Sequence, residues 1–138
     1  MWVKSKNGRL RICPDYKVYV NTKICIESYP LPQIETTFAG ARFFPIIDLS
    51  NAYWQVELDK ESANLCAINT TKDIYLVTRL QMGMKNSSAT FQDVMENIVL
   101  KGLANVIAYQ DGVAVYAKTK ESFKSTSTLF SRELEAKM

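Results

Sequence analysis

The chain has 138 residues, which is enough for one domain with a hydrophobic core. Hydrophobic residues make up 47% of the chain and aromatic residues 11%, and these proportions exclude a disordered polypeptide. The net charge of +3 is compatible with a polyanionic partner such as nucleic acid. The absence of histidine excludes serine–histidine and cysteine–histidine catalytic pairs. Any chemistry therefore has to come from carboxylates, lysines or bound metal ions.

The three cysteines, Cys13, Cys25 and Cys66, are far apart in the sequence and form no CxxC pair. Without histidine partners, this spacing argues against a zinc site. Free thiols are typical of reducing compartments, so we expect an intracellular protein of the cytoplasm or nucleus. No apolar segment approaches the roughly 20 residues of a membrane-spanning helix, and we expect no membrane partner.

The N-terminal stretch predicts a basic hairpin. An Asn7-Gly8 turn signal lies between Trp2-Val3 and Leu10–Ile12. The cations of this hairpin are Lys4, Lys6, Arg9 and Arg11. Ammonium and guanidinium groups suit phosphate oxygens, although a solvated basic turn explains the same pattern.

The next third of the chain predicts short elements. We expect an irregular segment over 18–28 and then a helix over Gln33–Ala39 that Gly40 ends. The nearly all-apolar run Ala41–Leu49 predicts a central strand, and the alternation in Trp54–Leu58 predicts another strand. Asp59–Ala63 is typical of a polar turn or a short helix.

The second half of the chain predicts two hairpins and two helices. Leu65–Asn69 and Ile74–Arg79 form the first hairpin, and the helix Ser87–Leu103 follows, with Ser87 or Ser88 as its N-cap. The core-facing stripe of this helix consists of Phe91, Val94, Met95, Ile98 and Val99. A last helix covers Glu121–Met138. This order of elements predicts an α+β fold, an antiparallel sheet with helices packed on one face.

Two aspartates are the candidate functional residues. Asp111 lies in the polar tip Gln110-Asp111-Gly112 between the apolar runs Val106–Tyr109 and Val113–Ala117, where Asp-Gly is a strong hairpin signal. Taken alone, this dipeptide indicates only a turn. However, Asp48 ends the apolar strand upstream, and two strands side by side would bring both carboxylates together. Such hard oxygen ligands favour a divalent cation, and paired sites of this kind serve two-metal phosphoryl transfer.

The sequence resembles the fingers-palm part of the reverse transcriptases of gypsy-type LTR retrotransposons and retroviruses. The resemblance runs from about Val3 to about Phe130. The segments that carry it are, in order, Arg11–Lys17, Tyr29–Ile34, Ile47–Leu49, Ala52–Val56, Met82–Met84, Ala89–Gln92 and Tyr109–Asp111. It implies that residues 1–138 are a single domain, a polymerase palm with partial fingers and no thumb.

The resemblance also implies a catalytic site with two Mg²⁺ ions held by three carboxylates. Asp48 and Asp111 match two of the catalytic positions, and the backbone oxygen of Leu49 matches a further metal ligand. Gly112 stands where the family has the third carboxylate. The expected consequence is a catalytically impaired RNA-directed DNA polymerase.

Substrates and partners follow from the same resemblance. Lys4 and Arg11 match cations that hold the triphosphate of a dNTP, and Met82 lies in a loop that contacts template and nucleotide. Tyr53 matches a steric gate against the 2′-hydroxyl, although it is equally well explained as a core aromatic. The implied partners are an RNA or DNA template–primer and, in a longer Pol product, ribonuclease H and integrase segments. The alternative function is a non-catalytic module that binds nucleic acid, nucleotides or another protein.

Overall fold

The computed structural model describes residues 2–4, 8, 10–25, 29–30 and 32–137. The chain forms two compact units. The first consists of Met1–Glu27 and Tyr53–Ser87, and the second consists of Ser28–Ala52 and Ser88–Met138. The fold is a mixture of helices and antiparallel sheet, as predicted.

The described residues form seven strands, five α-helices, one 3₁₀ helix and one π-helix. In chain order they are β1 (Trp2–Lys4), β2 (Leu10–Ile12), α1 (Val20–Lys23), α2 (Ile34–Thr37), β3 (Ile46–Asp48), a 3₁₀ helix (Ala52–Gln55), α3 (Lys60–Leu65), β4 (Ile68–Asn69), β5 (Ile74–Tyr75), α4 (Ser87–Val94), a π-helix (Met95–Val99), β6 (Val106–Tyr109), β7 (Gly112–Val115) and α5 (Lys120–Lys137).

The first unit contains two small hairpins. Strands β1 and β2 pair antiparallel with Val3 opposite Arg11, which confirms the predicted N-terminal hairpin. Strands β4 and β5 form the second predicted hairpin in a shorter version, with Ile68 opposite Tyr75. The segment expected to be irregular contains helix α1, which is a single turn and therefore leaves little periodicity in the sequence.

The prediction of a strand over Trp54–Leu58 is wrong. Its first residues belong to the 3₁₀ helix, and strand-like bonding is restricted to its end. There the Leu58 N–H donates to the Thr78 carbonyl at 3.0 Å, and the Leu80 N–H donates to the Val56 carbonyl at 2.9 Å. Helix α3 then begins after Asp59, whose carboxylate accepts a 2.8 Å hydrogen bond from the Ser62 N–H. This bond lowers the pKa of Asp59.

The second unit is built on a three-stranded antiparallel sheet with the order β3-β7-β6. Strand β3 was predicted to be central, but within the described residues it is an outer strand that pairs with β7 alone. Its apolar sequence suggested burial on both sides, whereas Ile46 is exposed. Pro45 precedes β3 and has no N–H to give, although its carbonyl accepts from the Val115 N–H at 3.2 Å.

Helices pack on the sheet and supply the core of the second unit. Phe91, Met95 and Val99 are fully buried as predicted, together with Phe130 of α5 and Val113 of β7. Ile98 was expected in the same stripe, but it is 57% exposed. The cause is the π-helix, in which the Leu100 N–H bonds to the Met95 carbonyl at 2.7 Å and the wider turn shifts the following side chains around the axis.

Helix α5 was predicted over nearly its full length. Its first turn is capped by Thr119, whose hydroxyl accepts from the Ser122 N–H at 3.2 Å. The two residues predicted as alternative caps of α4, Ser87 and Ser88, are instead the first two residues of the helix, and the Ser87 hydroxyl donates to the Gln81 carbonyl. Among the described helices, none has both the length and the apolar character that a membrane span needs.

A buried tyrosine gives the first unit a pH-dependent contribution to stability. Tyr16 is only 4% exposed, and its hydroxyl has no hydrogen-bond partner among the described residues. Burial, and secondarily the nearby Cys66, raises the pKa of Tyr16 from 10.0 to about 12. Because the phenol ionises less readily in the folded state, the free energy of unfolding is independent of this group below the unfolded-state pKa of about 10, and it decreases as the pH rises from there to the folded-state pKa of about 12.

We therefore expect Tyr16→Phe to raise the melting temperature at pH 7. The substitution removes a buried hydroxyl without a partner, and burying such a group destabilises the folded state by about 1 kcal/mol or more. Between pH 10 and about 12, the wild-type chain should lose stability faster than the variant. Thermal unfolding followed by circular dichroism across this range measures both effects, and Tyr75→Phe, at an exposed tyrosine, is the matched control. Equal pH dependence of Tyr16→Phe and wild type would contradict the assignment.

Candidate metal centre

A tight hairpin carries Asp111. Strands β6 and β7 pair antiparallel from Val106 opposite Val115 to Tyr109 opposite Gly112, so the loop consists of Gln110 and Asp111 alone. Gln110 has a φ of 56°, in the left-handed region. The sequence placed Gly112 in the polar tip, but the structure places it in β7, and Gln110 supplies the left-handed conformation.

Strand β3 brings Asp48 to the same end of the sheet. Asp48 lies opposite Gly112 in the antiparallel register, and Gly112 follows Asp111 directly. The next backbone bond runs from the Leu49 N–H to the Asp111 carbonyl at 3.1 Å. Both aspartates are exposed. The structure thus brings Asp48 and Asp111 together at one end of the sheet, with carboxylates open to water.

Gly112 leaves room for a side chain. Its φ lies outside the left-handed region, so the backbone there suits any L-residue. A Cβ on Gly112 would lie 3.5 Å from Ile46 Cγ2 and from the Ile47 carbonyl oxygen, and 3.7 Å from the Tyr109 carbonyl oxygen. These are ordinary van der Waals distances. The turn therefore does not require a glycine at position 112, although the Asp-Gly signal alone would have suggested that it does.

The donors at this site fall short of a full metal cage. Among the described residues, no group of three or more histidine, cysteine, aspartate or glutamate side chains could hold a metal ion. The predicted third donor, the Leu49 carbonyl, belongs to a buried residue and already accepts a 3.2 Å hydrogen bond from the Ala52 N–H. A carbonyl oxygen has a second lone pair, so a ligand role for Leu49 stays a prediction.

The predicted substrate-binding residues all belong to the first unit. Tyr53 is half-buried in the 3₁₀ helix, and its carbonyl accepts from the Val56 N–H at 3.1 Å. Met82 is exposed in the turn before α4. Lys4 and Arg11 lie in β1 and β2, but their side chains are outside the described part of the structure. The roles of these four residues therefore stay predictions.

One polar side chain of the second unit was missed from the sequence. Gln92 is 1% exposed, and its amide nitrogen donates to the Ala108 carbonyl at 2.8 Å and to Glu96 Oε1 at 2.6 Å. The Tyr29 hydroxyl donates to Glu96 Oε2 at 2.8 Å, and this bond raises the pKa of Tyr29. The only signal in the sequence is a polar residue directly after Phe91, inside an otherwise apolar stripe.

Known proteins resemble this sequence over nearly the whole chain. The sequence profile described as reverse transcriptase (RNA-dependent DNA polymerase) matches residues 3–137. The chain is 36% identical over 133 residues to the uncharacterized protein K02A2.6 of Caenorhabditis elegans, covering 94% of this chain and 10% of that protein. It is 28% identical over 137 residues to the retrovirus-related Pol polyprotein from transposon 297 of Drosophila melanogaster, covering 95% and 13%. The chain thus spans about a tenth of the length of these curated relatives.

A shorter relative and two solved structures agree. An RNA-directed DNA polymerase homolog of Oenothera berteroana is 32% identical over 112 residues, covering 78% of each chain. The native protease-reverse transcriptase of prototype foamy virus has a TM-score of 0.74 at 29% identity, covering 98% of this chain and 18% of that chain. A foamy viral protease-reverse transcriptase in complex with ds DNA has a TM-score of 0.75 at 26% identity, covering 99% and 24%. The chain therefore belongs to the reverse transcriptase (RNA-dependent DNA polymerase) family.

Proposed function

We propose that this chain is the fingers-palm region of a retroelement Pol polyprotein, and that it is impaired in RNA-directed DNA synthesis from dNTPs. The observation that supports the impairment is the register of the sheet. Asp48 lies opposite Gly112, and Gly112 directly follows Asp111, so the two aspartates flank a position that has no side chain. In the family that position carries the third acidic ligand.

The residues present fit one magnesium ion better than two. Two Mg²⁺ ions bring four positive charges into a small space, and Asp48 and Asp111 offset only two of them. Asp48 and Asp111 would hold a nucleotide-bound ion, with the Leu49 carbonyl as a further donor. When bound, magnesium stabilises the negative charge that develops on the phosphate oxygens and on the leaving pyrophosphate. Holding the nucleotide is thus less affected than activating the primer hydroxyl.

We assign the binding of the nucleotide to residues of the first unit. In this proposal Lys4 and Arg11 bind the triphosphate, Tyr53 lies under the sugar and Met82 contacts the template and nucleotide. Ammonium and guanidinium groups bind phosphate oxygens through charge-assisted hydrogen bonds. These contacts do not involve Gly112, so loss of the third carboxylate leaves them intact.

The direct test is primer extension by the 138-residue chain on an RNA template with Mg²⁺ and dNTPs. We expect little or no template-directed incorporation, together with measurable dNTP binding in the presence of Mg²⁺. Robust extension by the unmodified chain would refute the impairment.

Restoring the missing carboxylate should strengthen metal binding. Because the backbone at Gly112 suits an L-residue and a Cβ has room, Gly112→Asp should fold normally and bind Mg²⁺ or Mn²⁺ about tenfold more tightly. Isothermal titration calorimetry measures the affinity.

The matched control is Ala104→Asp, which adds the same charge at an exposed position before β6. If Ala104→Asp increases the affinity as much as Gly112→Asp does, the gain reflects net charge and not a ligand position. Adding Asp111→Asn to Gly112→Asp should abolish the gain, since it removes a carboxylate from the same site.

A non-catalytic nucleic-acid-binding role is the second candidate. It is supported by the net charge of +3 and by the ds DNA complex of a foamy viral relative. Contacts to phosphates release counterions, so the logarithm of the affinity should fall linearly with the logarithm of the salt concentration, by about 0.9 per phosphate contacted on duplex DNA. Fluorescence anisotropy with a labelled duplex measures this dependence. A slope near zero would rule out phosphate contacts.

A further inference from the structure

A chain of hydrogen bonds in the second unit connects the segment before α2 to the strand that leads to Asp111. The Tyr29 hydroxyl donates to one oxygen of Glu96 at 2.8 Å. The other oxygen of Glu96 accepts from the Gln92 amide at 2.6 Å, and the same amide nitrogen donates to the Ala108 carbonyl at 2.8 Å. Ala108 lies in β6, three residues before Asp111.

The two acceptors fix the orientation of the Gln92 side chain. An amide nitrogen carries two hydrogens, and here one bonds to Glu96 and the other to Ala108. The Gln92 side chain is almost fully buried, and its Oε1 has no partner among the described residues. Without Gln92 the Ala108 carbonyl would lose this partner, and an unpaired buried carbonyl is unfavourable. Gln92 therefore ties helix α4 to strand β6 at one particular height.

The position of β6 determines the position of the hairpin loop. Tyr109 follows Ala108 and pairs with Gly112, so only Gln110 and Asp111 lie between the tied strand and β7. Glu96 is the junction of the chain, because it holds Gln92 with one oxygen and Tyr29 with the other. A shift of Glu96 would be transmitted through Gln92 and Ala108 to the loop.

We propose that Glu96, with Tyr29 and Gln92, forms a positioning network that sets where β6 holds Asp111 relative to Asp48. The network rests on the proposed metal site for its functional meaning, but it makes a structural prediction that needs no metal. Glu96 touches neither aspartate and is a positioning residue. Its two carboxylate oxygens act as acceptors, and an amide at this position can retain both contacts, because it accepts from Gln92 and donates to the Tyr29 oxygen.

The test compares amide hydrogen exchange in wild type, Glu96→Ala and Glu96→Gln, measured by NMR on the 138-residue chain. The reporter is the Leu49 N–H, which donates to the Asp111 carbonyl. We expect Glu96→Ala to accelerate Leu49 exchange about tenfold relative to the Phe123 N–H of α5, while Glu96→Gln stays near wild type. Glu135→Ala is the control, since it removes the same type of side chain from an exposed position of α5 in the same unit.

Two results would overturn the proposal. One is unchanged Leu49 exchange in Glu96→Ala, and the other is an equal acceleration of Leu49 and Phe123, which would indicate a general loss of stability. Metal affinity in the Gly112→Asp background is the second measurement, and Glu96→Ala should weaken it severalfold while Glu96→Gln should not. If Gly112→Asp alone fails to gain Mg²⁺ affinity, the proposed metal site fails, whereas the exchange result still decides the positioning network.

Discussion

The antiparallel pairing of β3 with β7 is the constraint on which the candidate site depends. Adjacent side chains of a strand point to opposite faces, so a slip of one residue would turn Asp48 away from the position it now occupies opposite Gly112. The register is held by a buried layer, in which Val113 lies between Ile47 and Ala108 on the neighbouring strands. The hydrophobic effect thus specifies the place of a polar site, because exposing Val113 would be far less favourable than moving a solvated carboxylate.

Gly112 occupies a regular position in the sheet that any L-residue could adopt. It pairs regularly with Asp48 and Tyr109 and does not use the conformations that are reserved for glycine. The strained backbone conformation instead falls on Gln110, whose positive φ is unusual for a residue with a side chain. An acidic side chain at position 112 would therefore be compatible with the same hairpin, so its absence changes the charge at this end of the sheet and not the backbone geometry.

Much of the second unit could be predicted from the sequence, because strong local signals and the tertiary structure agree there. The hairpin around Asp111 and helix α5 have clear patterns, and both are present. Ile98 could not be placed correctly, since a π-helical turn leaves no signature in a 3.6-residue pattern. The 3₁₀ helix over Ala52–Gln55 replaced a predicted strand because alternation over a few residues does not distinguish the two. The hydrogen bond from Gln92 to Ala108 could not be predicted for a different reason, because the two residues are sixteen positions apart in the sequence.

The candidate site residues are divided between the two units. The carboxylates Asp48 and Asp111 belong to the second unit, whereas Lys4, Arg11 and Tyr53 belong to the first. Within the described residues, strands β1 and β2 bond to each other, and helix α3 is capped by Asp59 of its own unit. We therefore expect a change at Gly112 to act on the proposed metal site, since Lys4, Arg11 and Tyr53 belong to the other unit. With the proposed roles, metal binding and triphosphate binding depend on separate sets of residues, and each can be tested by substitutions that leave the other set unchanged.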